Sequence, residues 1–246
     1  RGTHGFVAAD TLDGSALVST DLGERVRVAV AGRYGWIDKV FDAYPTDREL
    51  GDTFPIPRYR DAQVKATFDL RTNEAVDAVF LYSNDALNRT VDSPDPAKRR
   101  VESTSSNFWR AYARYTSVNS RGDAFVLTPF IGQDSSALAQ QFGGTPTHQE
   151  NDSTRYGVRS SLKSPVAKWF TFNAGLDALG TAASLRRDGS LTLPPREGDI
   201  AVFGQPPGDE YAADTYKTHL LDLAGYAFGD FRLGPALYDR KMQFEL

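Results

Sequence analysis

The stretch RVRVAVAGRYGWIDKVF, residues 25–41, decides the fold. Its residues alternate between an apolar or aromatic parity and a basic or small one. Because successive side chains of a β-strand point to opposite faces, this alternation predicts one strand over residues 25–41 with an apolar face and a polar face. The apolar parity ends in Tyr34 and Trp36, and aromatic girdles of this kind border the apolar band of membrane-spanning strands.

The same alternation returns later in the chain, in residues 59–71, 101–120, 155–163 and 170–177. Strands of soluble proteins centre on about five or six residues, whereas a tilted strand needs about nine to eleven residues to cross a bilayer. We therefore predict an all-β fold, an antiparallel up-and-down meander of about ten long strands that forms part of a transmembrane β-barrel.

The ends of the chain follow the same pattern more weakly. One strand is expected over residues 4–22, and the last two strands are expected over residues 216–228 and 231–246. Gly229 and Asp230 are turn-forming residues and are predicted to join these last two strands. No helix of consequence is expected.

Short turns and long loops alternate between the predicted strands. The tripeptide Arg121-Gly122-Asp123 is one of the predicted short turns, and the longest loops cover residues 42–57 and 190–214. Outer-membrane barrels have tight periplasmic turns and long extracellular loops, so both long loops are expected outside the cell. The alternative is a soluble meander or lipocalin-like barrel, which would bury its apolar face inside and rarely sustain strands this long.

Composition narrows the possible functions. The 246 residues show no linker, so a single domain over residues 1–246 is expected, and the net charge of −4 argues against a nucleic-acid partner. The chain contains no cysteine, and its three histidines are far apart in sequence, so we predict no metal site and no cofactor. Asp134, Ser135, Ser136 and Arg155 do not form a readable nucleophile and base, so no catalytic residue is predicted.

Basic residues recur on the polar parity of the predicted strands. In a barrel, this parity would face the lumen; the seven lumen-facing candidates are Arg27, Arg33, Lys65, Arg110, Arg114, Arg159 and Lys163. One interpretation is that they pair with carboxylates of neighbouring strands, such as Asp69 and Asp177, or of a domain inside the barrel. The other is a basic lining that attracts an anionic solute by focusing the electric field in the channel.

Several of these segments resemble a known family. GSALV (14–18), DLG (21–23) and AGRYGWID (31–38) are similar to the start of the barrel in TonB-dependent outer-membrane receptors, and PRYRDAQVK (57–65) with FLYSND (80–85) is similar to the next hairpin. The resemblance implies a passive barrel wall in the outer membrane of a Gram-negative cell. It also implies import of a scarce nutrient, such as an iron chelate, cobalamin or an oligosaccharide. The partners it implies are the protein's own plug domain and the energy-transducing TonB complex.

The chain also departs from that family. Its members carry a plug domain, a TonB-binding segment and a barrel of about twenty-two strands. This sequence shows neither of the first two and only about ten predicted strands. We therefore expect a fragment that holds the first half or so of the barrel. A self-contained ten-stranded barrel acting as an outer-membrane protease, or as a passive porin or adhesin, remains the alternative. Outer-membrane lipid is a further expected partner, with Lys98-Arg99-Arg100 as a candidate contact to lipopolysaccharide.

Overall fold

The chain folds into one antiparallel sheet in which the strands follow one another in sequence order. The structure, a computed structural model, describes residues 2–43, 56–91, 93–142, 145–190, 211–232 and 242–245. Within these residues the sheet has eleven strands: β1 (His4–Ala9), β2 (Asp13–Asp21), β3 (Val26–Gly35), β4 (Ile56–Arg71), β5 (Glu74–Val91), β6 (Arg100–Val118), β7 (Ala124–Phe142), β8 (Thr145–Ala167), β9 (Phe170–Ser190), β10 (Tyr211–Phe231) and β11 (Met242–Glu245). The predicted meander is confirmed, with eleven strands where about ten were expected.

The sheet is open, because β1 and β11 form its two edges. Strands β4 to β10 contain 16 to 23 residues each, three to four times the usual length in soluble proteins. None of the helices in the described ranges is long and apolar enough to span a membrane. The interiors of the two long loops expected at residues 42–57 and 190–214 lie outside the described residues, and their edges belong to helix and strand.

The expected single strand over residues 4–22 is wrong, since the chain reverses direction in its middle. Asp10 causes the reversal: its Oδ1 atom accepts hydrogen bonds from the backbone N–H groups of Leu12 at 2.7 Å and Asp13 at 2.9 Å. An aspartate that bonds to the backbone two or three residues ahead forms a turn. β1 and β2 therefore form a hairpin, with Ala9 opposite Gly14.

The predicted strand over residues 25–41 is also too long. β3 ends at Gly35, and a short helix, α1 (Ile37–Ala43), takes its place. The backbone N–H groups of Lys39 and Val40 both donate to the carbonyl oxygen of Trp36, at 2.9 and 3.2 Å. The apolar alternation stops at Trp36 in the sequence as well, so the residues after it had no strand pattern to continue.

The predicted turn at Gly229 and Asp230 is absent, because β10 continues through both residues to Phe231. Gly229 lies opposite Phe172 of β9, and a Cβ atom at this glycine would come within 2.5 Å of the Phe170 ring. The glycine therefore serves close side-chain packing, not a change of direction. The residues that follow Arg232 up to β11 lie outside the described part.

The turn between β6 and β7 contains the tripeptide predicted as a short turn. Asn119 Oδ1 accepts hydrogen bonds from the backbone N–H groups of Arg121 and Asp123, and Gly122 has a φ of 89°, which favours glycine. The Asp123 carboxylate accepts hydrogen bonds from the Ser164 hydroxyl and the Asn119 amide, and these bonds lower its pKa. Turn chemistry thus explains all three residues.

The sheet has two chemically different faces. On one face, which we call the apolar face, successive strands place Val30, Val64, Phe80 and Ala111 side by side. Among the described residues no hydrophobic side chain is buried; Val64, Phe80 and Ile131 are 39%, 41% and 47% exposed. A protein in water buries such side chains in a core, so this face is built for an apolar environment.

Aromatic side chains border the apolar face at both ends. In lipid-exposed barrels two such girdles mark the membrane interfaces. At the long-loop end of the strands they are Tyr34, Tyr82, Trp109 and Tyr156, and at the short-turn end they are Phe68, Tyr115, Phe125, Trp169, Phe170 and Phe231.

Candidate functional site

The face opposite the apolar face, which we call the polar face, is the candidate functional surface. All seven lumen-facing candidates lie on it, distributed over β3, β4, β6 and β8: Arg27, Arg33, Lys65, Arg110, Arg114, Arg159 and Lys163. They share this face because the register keeps their parity across the sheet; Arg33, for example, lies directly opposite Asp61. Whether the face lines a lumen remains a prediction.

Ion pairs connect the first of these strands. Arg27 Nη2 lies 3.2 Å from Asp69 Oδ1, which joins β3 to β4, and Lys65 Nζ lies 3.3 Å from Asp77 Oδ1, which joins β4 to β5. Both basic side chains are about half exposed. Exposed ion pairs contribute at most about 1 kcal/mol each, so these pairs fix side-chain positions more than they stabilise the sheet.

A larger network surrounds Arg33. Its Nε atom donates to Asp61 Oδ2 at 2.7 Å, and its guanidinium carbon lies 4.7 Å from the centre of the Tyr59 ring. The Tyr59 hydroxyl donates to Asp13 Oδ2 at 2.7 Å, and the Ser83 hydroxyl donates to Asp61 Oδ1 at 2.7 Å. Four consecutive strands, β2 to β5, are thereby connected on the polar face.

Asp134 is the centre of a second network and lies between two arginines. Arg110 donates from Nη2 to Asp134 Oδ1, and Arg155 Nε lies 3.2 Å from Asp134 Oδ2. Arg110 also donates from Nη1 to the carbonyl oxygen of Gln133 at 3.0 Å, and its side chain lies across Gly132, where a Cβ atom would collide with it. The Asp134 carboxylate thus pairs with two arginines, and this group of three side chains carries a net positive charge.

Sequence reasoning did not recognise Asp134 and Arg155 as part of this lining. From the sequence alone, both residues stand out only as possible catalytic groups. The available signal was parity, since Arg155 has the same parity as Arg159, which was chosen. No group of three His, Asp or Glu residues suited to holding a metal occurs in the described part of the chain.

The remaining predicted cations divide into paired and unpaired. Arg159 Nε lies 3.5 Å from Asp177 Oδ2, one of the two carboxylates proposed as partners from the sequence. Within the described ranges, Arg114 and Lys163 have no carboxylate oxygen within 4 Å, although Arg114 lies directly opposite Asp77 of β5. From β6 to β9, therefore, the polar face carries more positive than negative charge, and it can attract anionic groups.

No family model matches the sequence, and no curated protein matches it. Solved structures do resemble it. The ferric yersiniabactin uptake receptor FyuA from Yersinia pestis has a TM-score of 0.59 at 10% identity, over 95% of this chain and 42% of that one. The ferric-catecholate import receptor Fiu from E. coli K12 gives 0.52 in its closed form, over 90% of this chain and 41% of that one, and 0.51 in its open form, over 91% and 44%, both at 10% identity.

The chain spans less than half the length of these structures. At 10% identity the likeness concerns the fold, and it covers nearly the whole of this chain. The predicted resemblance is confirmed at that level: the chain has the fold of a part of the TonB-dependent outer-membrane receptors FyuA and Fiu.

Proposed function

We propose that the chain forms part of the barrel wall of a TonB-dependent transporter in the outer membrane of a Gram-negative bacterium. The observation that carries the proposal is the division of the sheet into two faces: an apolar face that buries no hydrophobic side chain among the described residues, and a polar face joined by ion pairs. A wall with lipid on one side and an aqueous lumen on the other needs both faces.

The apolar face supports the membrane location on energetic grounds. Val64, Phe80 and Ile131 expose 39 to 47% of their surface, and a soluble protein gains about 25 cal/mol for each Å² of such surface that it removes from water. Contact with acyl chains removes the whole face from water without a core. The aromatic side chains at both ends of the face suit the two membrane interfaces.

Among the three substrate classes implied by the resemblance, we propose an iron chelate. FyuA is named for ferric yersiniabactin and Fiu for ferric catecholates. The surplus of positive charge around Arg110, Arg114, Arg155 and Lys163 supports an anionic solute, because basic residues in a channel raise the local concentration of anions. In this role the wall performs no chemistry of its own.

The implied partners are a plug domain inside the barrel and the TonB complex that acts on it. Arg114 and Lys163 support the first of these, since both are cations of the polar face without an ion pair in the described part of the sheet. Plug carboxylates would complete their charge balance. The described strands would then form one domain of a larger protein.

The test uses the natural host and the full-length gene. Deletion of the gene is expected to abolish uptake of radiolabelled iron from at least one ferric chelate, and an uncoupler of the proton gradient is expected to abolish it in the wild type. Replacing both unpaired cations, Arg114→Gln with Lys163→Gln, should slow uptake about tenfold or more if they attract the chelate or seat the plug.

Arg121→Gln with Lys168→Gln is the matched control. It removes the same charge from two short turns at the end of the strands. Uptake that resists the uncoupler would favour a passive porin. Normal growth and iron uptake without the gene, for every chelate the host uses, would contradict the proposal.

A further inference from the structure

Three adjacent strands concentrate positive charge on the polar face. In residues 110–118 of β6, 124–134 of β7 and 153–163 of β8, the polar parity holds one carboxylate, Asp134, and five cations: Arg110, Arg114, Arg155, Arg159 and Lys163. The apolar parity of the same three segments holds no charged residue. The positive charge therefore belongs to one face of three neighbouring strands, with β7 in the middle.

The register arranges the arginines in pairs across β7, and we call each pair a rung. In the first rung, Arg110 of β6 and Arg155 of β8 are both opposite Gly132 of β7, one on each side of it. Neighbouring strands are about 4.8 Å apart, so the two Cα atoms are about 10 Å apart, and the glycine has no side chain to fill the space between them. Arg110 is held by hydrogen bonds from Nη1 to the carbonyl oxygens of Trp109 at 2.9 Å and Gln133 at 3.0 Å.

A second rung lies four residues along β7, toward the short turns. Arg159 of β8 is opposite Thr128, and Arg114 of β6 falls at the same level, because the β6–β7 register is the same on either side of it. Four residues of a strand span about 13 Å. Lys163 is four residues beyond Arg159, opposite Ala124, and ends the series. The cations thus recur at even steps along β7.

A carboxylate close to each rung limits how tightly that rung can hold an anion. Asp134 is shared by the two arginines of the first rung, and Asp177 Oδ2 lies 3.5 Å from Arg159 Nε in the second. An arriving anion must compete with these carboxylates. Passage through a channel requires such sites in series, each strong enough to attract the solute and weak enough to release it.

The cations of β3 and β4 are arranged differently. Arg27, Arg33 and Lys65 each have a carboxylate of a neighbouring strand within 3.3 Å, and these three carboxylates are Asp69, Asp61 and Asp77. Charge is balanced pair by pair in this part of the polar face. Gln63 lies in it, between Asp61 and Lys65 along β4.

We propose that β6 to β8 form an anion track, on which anionic groups of the solute pass from the Arg110–Arg155 rung to the Arg114–Arg159 rung and then to Lys163. The inference rests on the proposed function and adds a route along the wall to it. Guanidinium groups bind carboxylates through paired hydrogen bonds, so the track fits a chelate that carries carboxylate groups. Plug carboxylates that balance these cations at rest must leave the track during transport.

The test places a single cysteine on the track, since these 246 residues contain none. Thr128→Cys lies at the second rung, and Gln63→Cys is the matched control on the same face. In energised cells with the full-length receptor, any other cysteine being replaced by serine, each thiol is labelled with an anionic (sulfonatoethyl) and a cationic (trimethylammonioethyl) methanethiosulfonate. The ratio of the anionic to the cationic rate should be at least about tenfold higher at position 128, because clustered cations concentrate anions.

Variants of the second rung separate charge from structure. Arg114→Gln with Arg159→Gln should lower the ratio at Thr128→Cys at least about threefold, and Arg114→Lys with Arg159→Lys should keep it within about twofold, because the lysines retain the charge. Equal ratios at positions 128 and 63 overturn the track. A thiol at position 128 that neither reagent reaches also overturns it, since no solute could pass there.

Iron uptake distinguishes a track from a surface binding site. In cells with native Thr128, the glutamine pair should lower the maximal rate of energised uptake about tenfold. It should leave binding of the same radiolabelled ferric chelate to uncoupler-treated cells within about twofold. Uptake at the wild-type rate overturns the track. A high ratio at position 128 in a receptor that imports no chelate contradicts the proposed function instead, so the two failures are distinguishable.

Discussion

A charge placed on either side of β4 should reveal which face meets lipid. Val64 and Gln63 are adjacent, so their side chains point to opposite faces; Val64 lies between Val30 and Phe80 on the apolar face. It is the middle of the five apolar-parity positions from Phe68 to Arg60, so the proposed membrane location predicts that it lies near the centre of the bilayer. We therefore compare Val64→Arg with Gln63→Arg in the full-length receptor.

The expected costs differ strongly. An arginine on the lipid face at the bilayer midplane costs about 2–4 kcal/mol, whereas a substitution on a solvated face usually changes stability by less than about 0.5 kcal/mol. Because about 1.4 kcal/mol corresponds to a factor of ten, Val64→Arg should lower the folding equilibrium constant at least about thirtyfold. Gln63→Arg should leave it nearly unchanged.

The assay is guanidinium unfolding of the receptor in phospholipid vesicles, followed by tryptophan fluorescence and by the mobility of unheated protein on gels. A shift of the midpoint in Val64→Arg alone supports the assignment. Equal destabilisation by both substitutions, or a larger effect of Gln63→Arg, would refute it, since the polar face would then be the one packed against an apolar environment.

Three further outcomes are expected, each measured as the temperature at which the unheated gel form is lost. Asp134→Ala should destabilise the barrel by about 1–2 kcal/mol, because it leaves two arginines without their shared carboxylate; equal stability would show that water replaces it. Gly180→Ala should destabilise and Gly32→Ala should not, since the new Cβ lies 2.5 Å from the Tyr156 ring in the first and at an ordinary contact distance of 3.6 Å from the carbonyl oxygen of Asp61 in the second; the reverse order would contradict the packing. Asp123→Asn should cost stability by an amount that is constant above about pH 4 and disappears as the pH falls through the lowered pKa of this carboxyl; a difference that persists in acid would exclude the charge as its cause.

The sequence predicted the faces of the sheet better than the ends of its strands. Alternation at period two reports which side of a strand each residue occupies, and it is independent of the loops. Strand ends depend on single polar contacts. At Asp10, two backbone N–H groups donate to one carboxylate oxygen, and the expected strand becomes a hairpin. At Trp36, two backbone N–H groups donate to one carbonyl oxygen, and α1 replaces the end of the expected strand.

The candidate site was predictable to the same extent. Parity identified seven cations on one face. Their pairing with carboxylates of neighbouring strands depends on the strand register, which one sequence does not contain. Arg155 had the correct parity and was still missed, since its proximity to Asp134 arises only once β7 and β8 are aligned.

The absence of a packed core from the described strands determines how such a protein can change over evolutionary time. A core position must match the shape of its neighbours, so substitutions there are constrained together. In this sheet most positions need only the correct polarity for their side of the strand and a side chain of tolerable size. Sequences can therefore drift almost independently at each position while the architecture stays fixed, and this accounts for superposition on receptors that share only one residue in ten with this chain.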